Sequence, residues 1–180
     1  MNILGIIASS TLVAAGDFES IATVSGTGSS ATITFSSIPS TYTHLQLRYV
    51  AKSTGAASYL IMKLNSATSN YDGHYLGGNG TSASAGRTGV TNQMEFYNGV
   101  SNTTTGVVAA GVIDILDYAN TNKYRTVRGI TGIDYNGSGE LYLGSNLYMS
   151  TTAVSTIDLT VNAGNFTTTT QFALYGIKGA

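Results

Sequence analysis

The chain has 180 residues, of which only 9% are charged, with a net charge of −1 and no Cys. Ordinary soluble domains carry about 25% charged residues, so this composition excludes a disulfide framework and thiolate chemistry, and it offers no electrostatic grip on nucleic acid or an anionic membrane. With 12 Tyr and 5 Phe the chain can fill a core without metal or disulfide, and its nearly neutral surface, rich in Ser, Thr, Asn and Gly, favours self-association.

Residues 1–15 are apolar and end in small side chains, like the core of a signal peptide. They lack the basic start that such a signal needs, and they are too short and too broken by Ser and Thr to span a bilayer. Residues 1–17 are therefore expected to be a first strand or an N-terminal docking arm. The arm's grip on a neighbouring subunit would rest on Ile3, Leu4, Ile6, Ile7, Leu12 and Val13. Residues 18–180 are expected to form one domain.

From residue 31 onward, alternation with period two dominates and turn residues interrupt it at short intervals. Residues 31–35 alternate small or apolar side chains with Thr. Residues 43–49 put Leu45, Leu47 and Tyr49 on one face and His44, Gln46 and Arg48 on the other, after a turn at the only Pro, Pro39. Residues 58–64 and 94–97 read as further strands. Residues 106–118 are apolar on both sides for most of their length, which suits a central strand covered on both faces. Residues 123–130 follow as its partner, then 140–143, 156–161 and 171–177. In 156–161, Ile157, Leu159 and Val161 point inward while Asp158 and Thr160 point out. Residues 77–89, rich in Gly, Ser and Ala, and residues 162–170, ending in four Thr, lack apolar periodicity and are expected to be outward-facing loops. The pattern predicts an all-β fold, an antiparallel β-sandwich of jelly-roll type with roughly 9–11 strands.

Catalytic constellations are thin. His74 could act as a general base oriented by Asp72, but no Ser stands in a nucleophile elbow. His44 lies on the polar face of its strand. Asp114 with Asp117, and Asp134 with Glu140, are the nearest carboxylate pairs for glycoside hydrolysis. Residues 71–73 and 134–138 hold Asp, Asn and Gly in a pattern that Ca²⁺ uses and that turns use equally. The Gly-x-Gly at Gly26 and Gly28 has no helix after it and reads as a turn. Lys123, Arg125 and Arg128 are expected on a solvated face or in an inter-subunit ion pair. No catalytic residue, metal or cofactor is assigned. A carbohydrate-binding reading would use Tyr71, Tyr75, Tyr97 and Tyr118 as a stacking platform; the other reading places most of them in the core or an interface, since Tyr favours half-buried strands.

Residues 18–25 and 30–48, together with Leu4-Gly-Ile-Ile-Ala-Ser9 and Asn70-Tyr-Asp-Gly-His-Tyr-Leu-Gly-Gly-Asn79, resemble a family of small proteins encoded by tailed bacteriophages and prophages. The resemblance covers residues 4–80 closely and is general beyond them. It implies a virion structural protein of appendage, fibre or capsid-decorating type with a β-sandwich fold, and it brings no catalytic residues. On this basis the chain is expected to be a non-enzymatic virion part made in the host cytoplasm. It would be a capsid decoration, head appendage or tail fibre component, assembling as a homotrimer with capsid or tail subunits as partners. The alternative is an adhesion module contacting host-surface glycan.

Overall fold

The computed structural model describes residues 17–179; the docking-arm residues Ile3 to Val13 lie outside them. The described residues form twelve strands. These are β1 (Phe18–Ser25), β2 (Thr32–Phe35), β3 (His44–Ala51), β4 (Tyr59–Leu64), β5 (Tyr71–Gly78), β6 (Ala83–Arg87), β7 (Met94–Tyr97), β8 (Ala109–Ile115), β9 (Arg125–Tyr135), β10 (Ser138–Tyr148), β11 (Ile157–Val161) and β12 (Gln171–Ile177). All ladders between them are antiparallel.

One sheet has eight strands in the order β1-β12-β3-β8-β9-β10-β5-β6, and the other has four in the order β2-β11-β4-β7. Strands β1, β12, β3 and β8 over β2, β11, β4 and β7 form the two interleaved four-stranded sheets of a jelly roll. Two hairpins are inserted into that frame, β5–β6 between β4 and β7, and β9–β10 between β8 and β11. Both join the first sheet beyond β8 and double its width. They form a wing with no matching strands in the second sheet.

The core lies between the sheets. Leu45, Leu47, Ile113, Phe172 and Leu174 from the first sheet meet Leu60, Met62, Phe96, Ile157 and Leu159 from the second, all buried. Alternation assigns these faces: in β3 and β11 every second residue is buried.

Under the wing, side chains replace the missing strands. Tyr97 at the end of β7 lies 4.5 Å from Tyr75 and 5.5 Å from Tyr142, centroid to centroid, and 4.9 Å from Tyr59. Tyr71 stacks on Tyr148 at 4.8 Å. The rings fit because glycines lie opposite them. A Cβ on Gly77 would stand 2.3 Å from Cε1 of Tyr142.

Three expectations are corrected. Residues 77–89 are not a loop: they contain the end of β5 and all of β6, joined by a turn in which Asn79 Oδ1 accepts from the backbone N of Thr81 (3.0 Å) and Ser82 (2.9 Å) and Gly80 adopts φ 86°. Residues 162–170 do not project outward. Phe166 and Thr170 are fully buried, and the segment is tied to residues 26–30 and 52–54 by backbone hydrogen bonds. Residues 106–118 are not covered on both sides. The strand begins at Ala109, with Ile113 and Ile115 buried and Ala110 and Val112 exposed.

Candidate interaction face

The outer face of the wing exposes large apolar side chains. Register places the outward residues in straight cross-strand rows. One row runs Ala173, Arg48, Val112, Ile130, Leu143, Leu76, Ala85 across β12, β3, β8, β9, β10, β5 and β6. The next row, two residues along each strand, runs Val50, Ala110, Gly132, Leu141, Gly78, Ala83. Leu141 is 60% exposed, Ile130 and Leu76 55%, and Leu143 48%. One exposed Leu means little, but a contiguous apolar patch on a monomer marks an interaction site. Shallow grooves run along it between Ile130, Leu141 and Gly132, and between Leu76, Leu143 and Gly78.

The row on the other side of Ile130 is polar: Gln46, Asp114, Arg128, Ser145, His74, Arg87. Gln46 Nε2 donates to Asp114 at 2.8 Å. Arg87 grips Asp72 through Nε at 2.8 Å and Nη2 at 3.0 Å, and that guanidinium holds the Asp72 carboxyl below its ordinary range. Asp72 is thus engaged by Arg87 and does not orient exposed His74 as a base. At the far end of the sheet, Arg48 lies over Phe18 (5.2 Å) and Tyr175 (5.9 Å), which stack on each other.

The other flagged residues are scattered. Asp134 points out from β9, while Glu140 points inward from β10 beside Asn98, so the sheet separates them. Asp117 is held by Lys123 Nζ at 2.6 Å, and His44 Nδ1 accepts from the backbone N of Asp117 at 2.9 Å. Among the described residues no cluster of His, Asp and Glu could hold a metal ion. Arg125 is not on a solvated face with Lys123: it is fully buried. The four tyrosines do not make one platform. Tyr71 and Tyr118 are fully buried in the core, whereas Tyr75 and Tyr97 meet under the wing with Tyr59 and Tyr142.

No protein-family model, curated protein or solved structure matches this chain.

Proposed function

We propose that the chain is a structural subunit of a tailed-bacteriophage virion, a capsid decoration, head appendage or tail fibre component, that binds neighbouring subunits through the outer face of its wing. The observation that carries this reading is the pair of apolar rows centred on Ile130, Leu141, Leu143 and Leu76, built on strands that the jelly-roll frame does not need. A part buried in an assembly has no use for a charged surface, which accords with 9% charged residues. The resemblance of residues 4–80 to phage structural proteins supplies the setting. The glycan-binding alternative is weaker, because Tyr75 and Tyr97 turn their rings toward each other and toward Tyr142 and Tyr59.

The test is immunogold labelling of intact particles with antibody against the purified chain. Label over the head assigns a decoration or head appendage, and label at the tail assigns a fibre component. Particles without label, under an antibody proven on the denatured and native chain, overturn the proposal.

A further inference from the structure

From Arg128 onward the outward side chains of β9, which begin with Thr126, are in order Arg128, Ile130, Gly132 and Asp134. This series is complementary to its own reverse: cation against anion, bulk against no side chain. Neither Arg128 nor Asp134 has an ion-pair partner among the described residues. β8 repeats the contrast with Val112 two residues from Ala110, and β5 with Leu76 two residues from Gly78, while β10 between β9 and β5 carries Leu143 and Leu141 in these rows.

We propose that two copies of this chain pack outer face to outer face about a two-fold axis that crosses β9 between Ile130 and Gly132, in the plane of the interface. The proposal rests on the reading of this face as an interface, and it names the occupant as a second copy. Such an axis keeps each strand over its own counterpart and reverses its direction. Ile130 of one copy then stands over Gly132 of the other, Leu76 over Gly78 and Val112 over Ala110, while Leu143 meets Leu141 in an apolar contact on each side of the axis. Arg128 faces Asp134 twice, once on each side of the axis. A two-fold interface requires this kind of self-complementarity, in which residue i meets j and j meets i. Aligned sheet packing meets the demand along β9 and its neighbours, and sheet twist parts the rows toward the edges.

Size and charge favour a copy over another partner. The five strands β8, β9, β10, β5 and β6, about 4.8 Å apart and roughly 25 Å long, present on the order of 600 Å², the low end of what one partner contributes to a standard interface. The outer face carries both signs, Arg48, Arg87 and Arg128 against Asp72, Asp114 and Asp134. An anionic membrane or nucleic acid would call for one sign. The geometry points to pairing by two and not to the homotrimer expected from resemblance.

The test is sedimentation velocity of the full chain over a wide concentration range. The unaltered chain forms dimers. Asp134→Arg and Arg128→Glu each weaken the dimer by about tenfold or more, because each places like charges opposite one another. The double variant restores pairing, since the swapped charges face each other again. A monomer at every concentration overturns the proposal, as does a double variant that pairs no better than either single one. Should Arg128→Glu fail to fold beside Asp114, Asp134→Arg must still weaken the dimer more than Asp134→Asn, and equal effects overturn the proposal. Particle labelling separates the two readings: a monomeric chain found on particles refutes the two-fold pairing alone, and a charge-dependent dimer absent from particles refutes the virion reading alone.

Discussion

The buried guanidinium of Arg125 donates through Nε to the carbonyl oxygen of Tyr118 at 3.0 Å. Its other nitrogens donate to the carbonyls of Lys123, Thr151 and Thr152. One side chain thus clasps the end of the β8–β9 connection to the segment after β10. Arg125→Met removes the donors: the Tyr118 carbonyl keeps its bond from the Val154 N–H, while those of Lys123, Thr151 and Thr152 lose theirs. Urea unfolding is expected to show a loss of roughly 3 kcal/mol, and Arg125→Lys recovers only part of it because the planar fork is gone.

Gly77→Ala tests the packing beneath the wing. The new Cβ would collide with the Tyr142 ring, so the ring must leave its stack with Tyr97. The expected cost is about 1–3 kcal/mol. With no Trp in the chain, the change is visible directly in Tyr fluorescence.

Leu76→Lys and Leu141→Thr should behave in the opposite way. Both side chains are more than half exposed on the outer face, so thermal unfolding should move by no more than about 0.5 kcal/mol in stability. Self-association and incorporation into particles should fall sharply.

Stability should decline on both sides of neutrality. Glu19 is held below its ordinary value by its hydrogen bonds from Lys178 and Tyr42, Asp72 by Arg87, and Asp117 by Lys123. Each depressed carboxylate contributes stability that is present above its unfolded value and is lost as pH falls through the folded one, so denaturant midpoints should drop below about pH 4. Burial pushes the Tyr71 hydroxyl up to about 12 from 10.0 and raises Tyr49 further in the same direction. Their contribution is complete below the ordinary Tyr value and is lost as pH rises through the folded one. Tyr71→Phe should soften the alkaline transition. At neutral pH it should lose about 1 kcal/mol, because the hydroxyl bonds both the N–H (3.0 Å) and the carbonyl (3.2 Å) of Leu64.

Deleting residues 2–15 tests the docking arm. A domain that keeps its unfolding transition but no longer joins particles is the expected result. Normal incorporation of the shortened chain removes Ile3, Leu4, Ile6, Ile7, Leu12 and Val13 from the assembly mechanism.

Much of the frame was legible residue by residue. The inward sets Leu45–Leu47–Tyr49 and Ile157–Leu159–Val161 follow from alternation alone, and both are buried. The β5–β6 hairpin is hard to read because Gly, Ser and Ala carry no hydrophobic period, although Asn79-Gly80 is a hairpin signal. Arg125 lies inside against the expectation because charge suggests solvent, and carbonyl acceptors gathered from two segments leave no mark in sequence. Tyr71 and Tyr118 lie in the core, the other reading open to them, because a Tyr hydroxyl can be satisfied there.

The scarcity of charge is composition, and the all-β class and the strand faces of the frame are readable in the residue order because side-chain alternation is a local property of an extended backbone. The apolar face exists only in the folded sheet. Val112, Ile130, Leu143 and Leu76 are far apart in the chain, and each taken singly is an ordinary exposed residue. They become one surface because the ladders of β8, β9, β10 and β5 hold them in one row, and register between distant strands is a property of the folded sheet.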